Sequence, residues 1–198
     1  MLPIGVLALQ GDVREHLSVL KQLNVDCVEV RKAQQLAEIS GLVIPGGEST
    51  VIDKLSQIFG LYEPIKEAVR FGMPVFGTCA GLILLAERLV DGTNTQKTFG
   101  GLDVTVQRNA FGSQLDSFET ELSFAGIAGV KAAFIRAPLV TEIGSEVTVL
   151  AKIDNERIVA VRQNNLLGIS FHPEIVGEWR VHDYFLEMCK TANYRKSN

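Results

Sequence analysis

Gly77-Thr78-Cys79-Ala80-Gly81 is the segment of this chain best suited to covalent chemistry. It ends an apolar run and opens a helical pattern, so it reads as the thiol form of the G-x-S-x-G nucleophile elbow. Such a turn holds its nucleophile in strained backbone, and the flanking small residues let neighbouring elements approach closely. A helix N-terminus also favours thiolate over thiol. A buried structural cysteine is the competing reading of Cys79, because free cysteine is often buried. A cysteine nucleophile needs a base, and the base needs an orienting group. Phe171-His172-Pro173-Glu174 offers both. Pro173 biases His172 toward extended backbone, and extended residues at i and i+2 face one side, so Glu174 is predicted beside the imidazole. The alternative is a solvated surface turn. Pro45-Gly46-Gly47-Glu48-Ser49-Thr50 is a glycine turn without the lysine or spacing of a phosphate loop. Paired glycines suit a backbone that approaches a ligand or turns over. The N–H groups of Gly47 and Ala80 are therefore candidate oxyanion-hole donors, against an ordinary strand–helix turn. His16 and His182 fall in amphipathic helical patterns and read as solvated or packed, and Cys27 and Cys189 read as structural.

These groups need elements to position them. Ile4–Leu9, Asp26–Val30, Leu42–Ile44 and Pro74–Phe76 read as short strands, most of them buried on both faces. Between them lie helical patterns. Asp12 with Glu15 resembles a capping box, ahead of a stripe of Val13, Leu17, Leu20 and Leu23. A short helix or turn is expected over Gln34–Ile39. A helix from Ser49 is expected to bury Val51, Ile52, Leu55 and Ile58, and another runs from Pro64 to Val69. Ala80–Leu89 reads as one helix. Strands joined by such helices imply a parallel sheet covered on both faces. The second half predicts strands at Leu102–Gln107, Ser117–Leu122, Ala133–Ile135, Val147–Ile153, Arg157–Arg162 and Leu167–Phe171, added as antiparallel or mixed strands. A helix over Glu178–Thr191 closes the chain, and 91–97 reads as a surface loop. Each chemical motif follows a strand, so all three are expected at the carboxyl ends of the sheet, where open α/β sheets bind ligands.

Composition bounds the function. The chain has 198 residues, 46% hydrophobic and 21% charged, which fits one globular domain over 1–198. A net charge of −4 argues against a nucleic-acid partner. No apolar run reaches the ~18 residues of a spanning helix, and the N-terminus lacks the basic start of a signal peptide, so no membrane is expected. Three scattered cysteines make neither a disulfide framework nor a zinc spacing. A reduced, cytoplasmic chain is the expectation.

The elbow followed far downstream by His-x-Glu resembles the class I (triad) glutamine amidotransferases. Further motifs resemble the glutaminase subunits of pyridoxal 5′-phosphate synthase: Leu9-Gln10-Gly11, Val13-Arg14-Glu15-His16, the 45–50 turn, Arg108-Asn109-Ala110-Phe111-Gly112 and Phe134-Ile135-Arg136-Ala137-Pro138. The resemblance implies a three-layer, flavodoxin-like α/β fold with a mixed, mainly parallel central sheet and added antiparallel strands. It implies hydrolysis of L-glutamine to glutamate and ammonia through a thioester. Cys79 is then the nucleophile, His172 the base and Glu174 its orienter. Gly47, Glu48, Ser49, Arg108, Ile135 and Arg136 then line the glutamine site. The implied partner is a (β/α)₈-barrel synthase subunit in a large hetero-oligomer that receives the ammonia for vitamin B6 synthesis. Neither cofactor nor metal is implied. The edge carrying Gln10 and Arg14 is the expected contact with the barrel. Two other readings remain open at this point: a stand-alone cysteine hydrolase on a similar core, and a binding module whose Cys79 senses oxidation.

Overall fold

The computed structural model describes residues 2–90, 96–108, 110, 117–192 and 194. The expected 91–97 loop and the motif from Arg108 to Gly112 therefore fall largely outside the described residues. The first half alternates β1 (Ile4–Leu7), α1 (Val13–Gln22), β2 (Cys27–Val30), a 3₁₀ turn (Ala33–Glu38), β3 (Gly41–Ile44), α2 (Ser49–Ile58), α3 (Tyr62–Arg70), β4 (Val75–Thr78) and α4 (Ala80–Leu85). Then come β5 (Ala86–Leu89), β6 (Leu102–Gln107), β7 (Phe118–Phe124), β8 (Ile127–Phe134), β9 (Leu139–Ile143), β10 (Thr148–Ile153), β11 (Arg157–Gln163), β12 (Leu166–Ile169) and α5 (Arg180–Thr191).

The main sheet runs β2-β1-β3-β4-β12-β11-β9-β6-β5, with β10 paired to β11. The block β2-β1-β3-β4-β12 is parallel. The strands β1, β3, β4 and β12 are buried throughout, as strands covered on both faces must be. One apolar layer joins Leu7 and Ile44 to Ile52, Ile65 and Leu84 on α2, α3 and α4. The other joins Val6, Val43 and Phe76 to Leu20 on α1 and Phe185 on α5. The carboxyl ends of β1, β3, β4 and β12 are adjacent in the sheet, so the residues that follow them share one edge. No helix among the described residues is long and apolar enough to cross a membrane.

Several expectations change. The helix from Ala80 stops at Leu85, and Ala86–Leu89 becomes β5, parallel to β6. A run buried on every side carries no period to separate helix from strand. The buried side of α2 is Ser49, Ile52, Asp53 and Ser56. Val51 and Ile58 are exposed. Asp53 earns its burial by accepting the Lys97 N–H at 2.8 Å. Strand β9 was not expected, and β7 with β8 forms a separate two-stranded sheet instead of joining the main one. The Asp12 side chain makes no cap hydrogen bond. On α1, His16 is fully buried while Val13, Leu17 and Leu23 are only half-buried.

Candidate active site

The elbow forms where β4 ends. Cys79 caps α4 with φ 47° and ψ −98°, a backbone region that costs an L-residue strain and is held only when its surroundings dictate it. Here the Cys79 N–H donates to Ile169 O on the neighbouring β12 at 2.8 Å. A Cβ on Gly77 would lie 2.4 Å from Gly81 C, and one on Gly81 would lie 2.2 Å from Ile44 O. Small residues are thus required on both sides of Cys79. Cys79 is only 8% exposed and faces a pocket of about 260 Å³ instead of standing on an open turn.

His172 reaches the same pocket from beyond β12. Its own N–H donates to Ala133 O at 2.8 Å, which ties it to β8. Its Nδ1 lies 2.8 Å from Glu174 Oε1 and 3.3 Å from Asp12 Oδ2. With Nδ1 on the carboxylates, Nε2 is the nitrogen left for Cys79. Burial opposes charge on His172, but hydrogen bonds to Asp12, Cys79 and Glu174 outweigh it and push the pKa up to about 12. The imidazolium is thus the favoured form. Burial raises the Glu174 pKa, partly offset by its bond to His172. Among the described residues Asp12, His172 and Glu174 form the close cluster of metal-ligand types, with donor atoms within 4.8 Å. One ring nitrogen shared by two carboxylates accounts for that spacing without an ion.

Gly46, Gly47, Glu48 and Ser49 lie across the pocket, after β3. The peptide positions of this turn are fixed by neighbours. Gly46 O accepts the Asp12 N–H at 3.1 Å, and the Glu48 N–H donates to Gln10 Oε1 at 2.8 Å. The Gly46-Gly47 pair carries no side chain, yet the turn is tied at both ends. A Cβ on Gly47, at φ 152°, would meet Gln10 Oε1 at 2.5 Å. Ala80, at the first position of α4, is buried. Glu48, Ser49, Arg108, Ile135 and Arg136 all line the pocket. Arg108 donates to Gln96 Oε1 at 2.9 Å and to Glu48 Oε1 at 3.3 Å. Among the described residues no carboxylate pairs with Arg136, whose backbone takes φ 46°. Gln10 also lines the pocket, whereas Arg14 is exposed on the outer side of α1.

The SNO glutamine amidotransferase family matches residues 6–191 of this sequence. The chain belongs to that family. It is similar to the pyridoxal 5′-phosphate synthase subunit PdxT of Leifsonia xyli subsp. xyli (strain CTCB07), at 57% identity over 185 residues, 92% of this chain and 93% of that protein. It is 56% identical over 190 residues to the PdxT subunit of Dehalococcoides mccartyi (strain ATCC BAA-2100 / JCM 16839 / KCTC 5957 / BAV1), covering 95% and 97%. A crystal structure of a glutamine amidotransferase superposes with TM-score 0.89 at 44% identity, covering 95% of this chain and 99% of that one. In this SNO glutamine amidotransferase, local motifs marked the thiol, the imidazole and Glu174. Asp12 went unrecognised because Glu15 three residues on made it look like a helix cap. His16 and His182 went unrecognised because only tertiary packing brings them to Glu174 and to each other. Ile83 of α4 also lines the pocket, and nothing in its sequence context separates it from the core.

Proposed function

We propose that Cys79, His172 and Glu174 are the triad with which this glutaminase hydrolyses L-glutamine to glutamate and ammonia for pyridoxal 5′-phosphate synthesis. The observation that carries the assignment is the strained Cys79 elbow opposite an imidazole whose Nδ1 sits 2.8 Å from Glu174. Cys79 sulfur attacks the side-chain amide carbon, and its proton resides on His172. The N–H groups of Gly47 and Ala80 receive the developing oxyanion. Collapse expels ammonia with the proton from His172. Water, deprotonated by the same imidazole, then opens the thioester to glutamate. Arg136 offers a guanidinium to the α-carboxylate, while Arg108, held by Glu48 and Gln96, and Ile135 shape the rest of the glutamine site. Ammonia passes to a (β/α)₈-barrel synthase subunit in a hetero-oligomer, docked on the edge carrying Gln10 and Arg14. Gln10 supports that reading, since its side chain lines the pocket and accepts the Glu48 N–H of the turn.

The test is glutamate release from glutamine by the chain alone and with an excess of a pyridoxal 5′-phosphate synthase subunit. Activity is expected to be weak alone and to rise strongly in kcat with the partner. Cys79→Ala is expected to abolish it in both. Hydrolysis retained by purified Cys79→Ala would remove the triad assignment, and equal activity with and without partner would remove the docking assignment.

A further inference from the structure

One end of Glu174 is held and the other is not. The side chain is buried, and among the described residues its Oε2 has no hydrogen-bond partner. Its orientation therefore depends on what touches Oε1. Two imidazoles do: His172 Nδ1 at 2.8 Å and His16 Nε2 at 3.5 Å. His16 Nε2 also lies 3.1 Å from Thr78 Oγ1, and Thr78 is the residue before the nucleophile. On its other side, His16 Nδ1 lies 2.8 Å from His182 Nε2 of α5. His16, Thr78 and His182 are all fully buried.

The chemistry fixes the protons of this chain. A carboxylate facing a lone pair at 3.5 Å is repelled, so His16 Nε2 carries the hydrogen, with Thr78 Oγ1 at hydrogen-bond distance and Glu174 Oε1 at a longer electrostatic contact. Nδ1 of His16 must then accept, and His182 Nε2 must donate. Burial, together with His182 and His172, holds the His16 pKa well below its ordinary value. His16 is thus a neutral donor. It orients the carboxylate without competing with His172 for its charge.

We infer that His16 is a positioning residue of the glutaminase triad, fixing Glu174 and tying it to the strand end that carries Cys79. The inference rests on the triad assignment above and adds to it a residue outside the three. It also gives α1 a direct line to the chemistry. The segment from Gln10 to His16 touches the glycine turn through Gln10 and the Asp12 N–H, the base through the Asp12 carboxylate, and Glu174 through His16.

The experiment compares His16→Leu, which fills the space without a donor, with His16→Gln, which returns an N–H near the position of Nε2. Steady-state glutaminase kinetics are measured with saturating synthase subunit. Alkylation of Cys79 by iodoacetamide, followed on its own peptide by mass spectrometry from pH 5 to 8, is measured on the chain alone. His16→Leu is expected to lower kcat by roughly 10- to 100-fold, the scale of a displaced catalytic group. KM is expected to stay within about twofold, as for an interaction that acts on the transition state. Cys79 alkylation is expected to slow, and His16→Gln to recover most of both losses. A kcat unchanged in His16→Leu overturns the inference. So does a His16→Gln variant that folds and is as impaired as His16→Leu. Wild-type chain inactive on glutamine would instead count against the triad reading, and the alkylation comparison would still decide the role of His16.

Discussion

Gly46 faces the His172 imidazole so closely that a single methyl group would reach it. A Cβ there would lie 2.3 Å from His172 Cε1 and 2.9 Å from His172 Nδ1. The nearest obstacles are the imidazole and the Asp12 carboxylate, both side chains, so the clash can be relieved by moving His172. Gly46→Ala is therefore expected to fold and to lose most glutaminase activity through kcat. Melting temperature and kcat measured together check this. A fully active variant would show that the position of His172 is not held as tightly as its contacts imply. The proposed triad residues stood out because local rules govern them: the elbow needs Gly77 and Gly81, and His-Pro-Glu sets two side chains on one side. Asp12 and His16 were not legible, because their partners stand far along the chain, on β4 and beyond β12. An aspartate before a helix and a histidine within one look alike whether they cap, pack or orient a catalytic group.

At the level of elements, the β4–α4 turn is pressed against β3. A Cβ on Gly81 would lie 2.2 Å from Ile44 O, and backbone cannot swing aside as a side chain does. Gly81→Ala is expected to destabilise the fold by about 1–3 kcal/mol or more, the cost of overpacking a filled interior. Urea unfolding reads this as a lower midpoint at unchanged slope. A midpoint equal to wild type would mean that the turn has slack. The contrast with Gly46 is one of mechanism: one glycine protects the position of His172, the other the packing of the elbow. The parallel half of the sheet was legible for a related reason. β1, β3, β4 and β12 are short apolar runs with turns at their ends, which is how strands buried on both faces must read. The boundary between α4 and β5 was hidden by uniform apolarity. The face of α2 was misread because Asp53 and Ser56 meet their partners inside, at Lys97 N–H and Asp53 O, while Val51 and Ile58 stay outside.

Across the whole molecule, α1 and α5 meet under the sheet through two histidines, and that contact makes stability depend on pH. Burial pushes the His182 pKa down to about 4. His182 is packed edge-on against Phe76 and faces His16, and its burial outweighs the help that the backbone and carboxylate of Glu178 give to its charge. An unfolded histidine titrates near ~6.5, so below that pH the unfolded chain binds a proton that the folded chain refuses. Stability from this group is then complete above ~6.5 and lost as pH falls toward 4, by about 3 kcal/mol over the full window. His16 acts in the same direction. His172, raised instead of lowered, contributes stability that is fully present below ~6.5 and lost only as pH rises toward 12, outside the acid window. Glu174, raised by burial, has the opposite sign within the window, but it is common to wild type and to a His182 variant and drops out of their difference. His182→Gln is expected to be less stable than wild type at pH 7, where it loses the ring contact with Phe76. Between pH 7 and pH 5 it is expected to lose less stability than wild type does, because one proton-binding difference has been removed. Urea midpoints at the two pH values measure both effects in one set of curves. Parallel losses in the two proteins would assign the acid sensitivity to other groups and leave His182 as packing alone.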